Sequence, residues 1–139
     1  MDSRHTTVLY CKKAAIALQI NPQFWQALDT LLAHSPIVID RPKGSAHPRF
    51  PEMVYPLDYG YLEGTLSMDG EGVDLWVGSR EPRVVDAVLC VVDMPKGETE
   101  IKLLCGCTEE EKQMAYQFQN RPPHLLALLV RREDPSRKG

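Results

Sequence analysis

Asp69-Gly70-Glu71-Gly72-Val73-Asp74 places three carboxylates and two glycines within six residues, directly ahead of the apolar run Leu75-Trp76-Val77. Two readings stand side by side. The stretch is a solvated hairpin turn, or it is part of a carboxylate cage for hard divalent cations. Farther along, Asp93 and Glu100 flank the turn-forming run Met94-Pro95-Lys96-Gly97-Glu98. If the strands on either side are neighbours, Asp69, Glu71, Asp74, Asp93 and Glu100 converge on one rim. Unpaired, such a cluster repels itself, so it calls for cations. Mg²⁺ suits it, with Mn²⁺ as a substitute, because these hard ions take carboxylates and phosphate oxygens. Carboxylates without accompanying His or Cys argue against zinc or copper.

Upstream, Arg41-Pro42-Lys43-Gly44-Ser45-Ala46-His47-Pro48-Arg49 is turn-rich and carries four potential cations in nine positions. It lacks the first glycine and spacer of a P-loop. It reads equally as a solvated loop and as a phosphate contact. Tyr55 to Thr65 reads as an extended edge strand, with Tyr59, Tyr61 and Glu63 on one face by the period of two.

From Asp58 to Glu111 the chain holds 13 acidic and 4 basic residues, a net of −9, and the remainder is net +6. An acidic middle argues against nucleic acid, whose phosphates need clustered Lys and Arg. It suits cations, or a phosphate substrate that arrives with them. No apolar run approaches the roughly 20 residues of a membrane span. The short run Ala14–Leu18 after Lys12 and Lys13 lacks a small-residue cleavage site and is not read as a secretory signal. Cys11, Cys90, Cys105 and Cys107 do not form a disulfide framework or a zinc site, so they read as reduced thiols in a cytoplasmic protein.

The elements that must position these groups fit one α+β, mainly β domain over 21–131, after an extension at 1–20 and before a polar tail at 132–139. Asn21-Pro22 opens a helix whose Phe24, Trp25, Leu28, Leu31 and Leu32 form one apolar stripe. Strands are expected at Ile37–Asp40, Asp74–Val77, Val84–Val92, Glu100–Cys105 and Leu125–Val130. Thr108-Glu109-Glu110-Glu111 is a capping box, which gives its three acids a structural role. Short strands separated by short turns suggest an antiparallel barrel with helices outside.

Three stretches then carry a resemblance: Val38-Ile39-Asp40-Arg41-Pro42-Lys43-Gly44-Ser45, Tyr55-Pro56-Leu57-Asp58-Tyr59-Gly60-Tyr61, and Ser67 to Val77. Together with Asp93 and Glu100-Ile101-Lys102-Leu103, they resemble the soluble family I inorganic pyrophosphatases, in the same order. The resemblance implies a five-stranded OB-like antiparallel β-barrel with outer helices, and Mg²⁺-dependent hydrolysis of pyrophosphate. By position it implies Asp69, Asp74, Asp93 and Glu100 as metal ligands, with Asp40 as an outer-site acid. Glu71 stands where the family's middle Asp helps deprotonate the attacking water. Lys102, Arg49 and Tyr59 would hold phosphate oxygens.

The pattern also departs from the family. Glu71 and Glu100 each replace Asp, and Gly72 replaces a proline, which is expected to loosen the loop. The Pro42–Tyr55 segment is short, and a late-helix Tyr-Lys pair is not evident in Tyr116-Gln117-Phe118-Gln119. The substrate clamp is then either missing or supplied by Lys43 or His47. Pyrophosphate or a similar small phosphoanhydride is the expected partner, and a homo-oligomer the expected assembly. Another small diphosphate or a nucleotide as substrate, or a non-catalytic OB-like binding module, are the alternatives.

Overall fold

The computed structural model describes residues 22–67 and 70–132, so the readings of the N-terminal extension, Asn21, Asp69 and most of the C-terminal tail lie outside the described residues. Helix α1 spans Pro22–His34, over the predicted apolar stripe, and ends ahead of Ser35-Pro36. Its stripe docks through Trp25, only 8% exposed, with Leu28 and Leu32 beside it. Two polar ties fix the helix on the sheet. Asp29 accepts from the Val85 N–H at 3.2 Å and pairs with Arg132 at 2.9 Å.

Six strands follow: β1 (Ile37–Arg41), β2 (Asp58–Leu62), β3 (Val73–Val77), β4 (Val85–Asp93), β5 (Glu98–Cys105) and β6 (Leu125–Arg131). They form one sheet in the order β1-β2-β3-β5-β4-β6. The α+β, mainly β reading holds, with two differences in detail. There are six strands rather than five, and β3 pairs with β5 in parallel while the other pairings are antiparallel. The parallel pair arises because the β4–β5 hairpin enters the sheet with its second strand innermost. Among the described residues the pairings run from β1 to β6 without joining those two ends. The tyrosine strand β2, expected at an edge, is internal between β1 and β3. Gly60 permits this. A Cβ there would lie 1.9 Å from the Val38 carbonyl oxygen, so only glycine lets β1 approach.

Alternation along the strands divides the core into two clusters, one on each face. Leu62, Leu75, Val77, Val88 and Leu103 pack under α1 with Trp25. Trp76, Leu89, Val91 and Leu104 pack on the other side against helix α2 (Glu109–Gln119), through Ala115 and Phe118. The predicted capping box is formed: Thr108 Oγ1 accepts from the Glu111 N–H, and Glu111 accepts from the Thr108 N–H. Glu111 also accepts from the Ser79 N–H, which ties the helix start to the loop after β3.

Candidate active site

The parallel register sets the centre of the site. Leu75 lies opposite Leu103, so Asp74 and Lys102, each one residue earlier, fall side by side on the α2 face. On β2, Tyr59 lies opposite Trp76 and Tyr61 opposite Asp74, which brings the Tyr59 ring diagonally over the same point. The result is a compact network. The Tyr59 hydroxyl donates to Asp74 Oδ2 at 2.9 Å, and Lys102 Nζ donates to Tyr59 at 2.7 Å and to Asp74 at 3.0 Å. Lys102 also pairs with Glu100 Oε1 at 2.9 Å, two residues back on the same face of β5.

Burial and neighbouring groups together set the protonation states. Burial pushes the Tyr59 phenol well above its usual range, so the hydroxyl stays neutral and remains a donor. Burial alone would lower Lys102, but Tyr59, Asp74 and Glu100 outweigh it and the pKa is raised. Lys102 is therefore a permanent cation. His47 behaves in the opposite way. Its Nδ1 accepts from the Arg49 and Phe50 N–H groups at 3.0 and 3.3 Å. Partial burial, with Arg41 and Arg49 nearby, lowers its pKa. The neutral ring thus keeps its proton on Nε2 and stacks 6.2 Å from Tyr55.

A cavity of about 280 Å³ opens over this network. Of the residues singled out in the sequence, it brings together Glu71, Asp74, Asp93, Glu100, Tyr59, Lys102 and His47. Asp40, Lys43 and Arg49 are exposed and are not among the residues lining it; the Lys43 backbone N–H is held instead by Asp58 at 2.8 Å. Sequence reasoning missed Lys96, Glu98 and Gln119, which also line it. The first two sit on the turn whose flanking acids were noticed. Gln119 is the last residue of α2, and only its place before Arg121-Pro122-Pro123 could have drawn attention to it.

Gly72 also differs from expectation. A Cβ there would lie 2.9 Å from both the Leu62 carbonyl oxygen and Tyr61 Cδ2. The glycine serves close approach of the loop to β2 rather than looseness.

The donor set fits a hard divalent cation in its chemistry. Glu71, Asp74, Asp93, Glu98 and Glu100 offer oxygen alone, and the one imidazole has its Nδ1 occupied by backbone donors. The cluster is nevertheless not left to repel itself, because Lys102 offsets Asp74 and Glu100 from within. Among the described residues no three His, Cys, Asp or Glu side chains are grouped to hold one ion.

Fold and site together define a mainly β domain with an acid-lined cavity centred on a buried lysine, a setting suited to phosphate and cations. The family model for inorganic pyrophosphatase matches residues 37–130, and the chain belongs to that family. The inorganic pyrophosphatase of Methanosarcina acetivorans is 38% identical over 90 residues, covering 58% of this chain and 52% of that protein. That of Halalkalibacterium halodurans is 39% identical over 84 residues, covering 55% and 52%. The chain thus spans about half the length of these curated relatives. The structure of an inorganic pyrophosphatase from Coxiella burnetii superposes with a TM-score of 0.52 at 17% identity, covering 70% of this chain and 84% of that one, which supports the fold alone. Among the described residues no helix is long and apolar enough to cross a membrane.

Proposed function

We propose that this protein hydrolyses inorganic pyrophosphate to two phosphates in the presence of Mg²⁺. The observation that carries the reading is the Tyr59–Asp74–Lys102–Glu100 network beneath an acid-lined cavity, within the stretch that matches the family. Asp74, Asp93 and Glu100, together with Asp69, would hold cations between them, with Asp40 as an outer acid. When bound, Mg²⁺ would offset phosphate charge and lower the pKa of water.

The chain's own groups have separate tasks in this proposal. Lys102 meets the negative charge that grows on the leaving phosphate. The neutral Tyr59 hydroxyl, which gives its single proton to Asp74, turns that proton to a phosphate oxygen when Asp74 holds the cation. Glu71 takes the proton from water as its oxygen bonds to phosphorus and the bridging P–O bond breaks. His47, through Nε2–H, and Lys96 complete the donors facing the phosphates, with Lys43 and Arg49 assigned to the approach.

The direct test is phosphate release from pyrophosphate with Mg²⁺, for the wild type and for Asp74→Asn. Removal of one ligand and of the partner of Lys102 is expected to lower kcat by roughly a hundredfold or more. Full activity in the variant would remove Asp74 from the site. A second reading has its own support. Met53, Tyr55, Phe118 and Leu125 give the cavity an apolar flank that inorganic pyrophosphate does not use, which favours a small organic diphosphate. Faster phosphate release from such a compound than from pyrophosphate would select that reading. A homo-oligomer belongs to the same proposal. It is supported by β6, which pairs with β4 alone among the described strands and exposes Leu126, Leu128 and Val130.

A further inference from the structure

On the α1 side of the sheet, a groove of about 690 Å³ is lined mainly by apolar side chains. Phe24 and Leu31 bound it from the helix, Leu66 from the β2–β3 connection, and Cys90, Val92 and Ile101 from the sheet. Cys90 and Ile101 are paired neighbours on β4 and β5. The helix gives Trp25, Leu28 and Leu32 to the core, and the groove is what it leaves uncovered. Phe24 and Leu31 are each 40% exposed, Ile101 46% and Leu66 77%. Single exposed apolar side chains are ordinary, but several gathered along one groove mark a surface that something covers. Ile101 sits between Glu100 and Lys102, so the groove lies behind the strand that carries both into the cavity.

We propose that residues 14–20 of this same chain occupy the groove. They lie outside the described residues, which begin at Pro22, two positions before Phe24. Asn21 therefore joins the occupant directly to the groove's own wall. Ala14-Ala15-Ile16-Ala17-Leu18-Gln19-Ile20 is apolar at six of its seven positions, the composition such a surface takes. Its length also fits. Seven residues span about 10 Å even when coiled as a helix, and two strand spacings measure about 10 Å. Charge agrees with composition. Residues 1–21 carry Arg4, Lys12 and Lys13 against Asp2, a net of +2, whereas Asp58 to Glu111 is net −9. The tether decides between this segment and a second copy of the chain. A segment joined by one residue meets the groove at an effective concentration in the millimolar range, while a second copy must reach it from dilute solution.

Maleimide labelling of Cys90 in the full chain tests this. In a Cys11→Ser background the other two thiols, Cys105 and Cys107, are fully buried, so labelling reports on the groove. Ile16→Asp combined with Leu18→Asp should speed labelling by roughly tenfold or more, the effect of withdrawing two apolar side chains from cover. From the other side, Ile101→Lys should speed tryptic cleavage after Lys13 to a similar degree, with the circular dichroism unchanged. Both responses are required. If labelling slows as protein concentration rises and ignores the substitutions at 16 and 18, a second copy fills the groove and the proposal falls. It falls equally if Cys90 reacts fast in parent and variant alike, since the groove is then open. Slow labelling in both at every concentration, or cleavage unmoved by Ile101→Lys, assigns the cover to another group and also overturns it. Neither readout involves pyrophosphate, so the hydrolytic reading stands or falls separately.

Discussion

Lys102 lies 3.0 Å from Asp74 and 2.9 Å from Glu100, with its side chain 8% exposed. Lys102→Met would leave two half-buried carboxylates without their cation, a change expected to cost about 2–4 kcal/mol in urea unfolding. Mg²⁺ should then raise the variant's Tm by more than it raises that of the wild type, because a second cation replaces the first. An unchanged unfolding midpoint would show that these pairs contribute nothing. His47 gives a pH dependence whose sign follows from its lowered pKa. The unfolded chain takes up a proton near pH 6.5 while the folded one resists, since Nδ1 is already accepting two backbone N–H groups. Its contribution is therefore present above about pH 6.5 and is lost as pH falls toward the folded value. Comparing unfolding free energies at pH 7.5 and 5.5 for the wild type and His47→Asn should show a smaller drop in the variant. Equal drops would remove His47 as the cause. At this scale the sequence was informative about Tyr59, Asp74, Glu100 and Lys102, whose types and order carry chemistry. It was silent about Gln119, because a neutral amide at a helix end looks like any other until its burial is known.

Helix and strand positions were largely legible from local pattern. The stripe of α1, the Thr108 capping box and the strands on either side of the Met94–Glu98 turn lie where the sequence placed them. Each depends on residues within a turn or two of one another. The place of β2 did not follow in this way. Tyr59-Gly60-Tyr61 reads as an edge strand until β1 is seen against Gly60. Gly60→Ala should therefore act through pairing rather than through β2 itself. A Cβ 1.9 Å from the Val38 carbonyl oxygen must separate β1 from β2. A loss of about 3 kcal/mol is expected, near the upper end for overpacking, with hydrogen exchange speeding up first at Ile37–Arg41. Slow exchange there in the variant would mean that the two strands can adjust.

Across the whole molecule, the sheet ends at β6, which pairs with β4 alone among the described strands. Leu128 is 63% exposed on this strand, with Leu126 and Val130 on the same side. Open edges bearing apolar side chains invite another strand or chain. If β6 is where copies meet, Leu128→Lys should shift the mass measured by light scattering toward the monomer, with the circular dichroism unchanged. A wild-type monomer, or an oligomer indifferent to this substitution, would locate the contact elsewhere or abolish it.

The amino-acid order by itself determined the class of the domain, most of its elements and the chemical kind of its site. Periodicity, caps and turn residues are local, and a set of carboxylates, tyrosines and one lysine in family order needs no coordinates to be noticed. Only the tertiary structure decided which acids meet. The parallel pairing of β3 with β5 sets Asp74 beside Lys102 and beneath Tyr59, while Asp40, Lys43 and Arg49 lie off the cavity wall. It also decided that the first cation among those acids is the protein's own. Such facts depend on register between strands distant in the chain and on burial, neither of which any short stretch of sequence encodes.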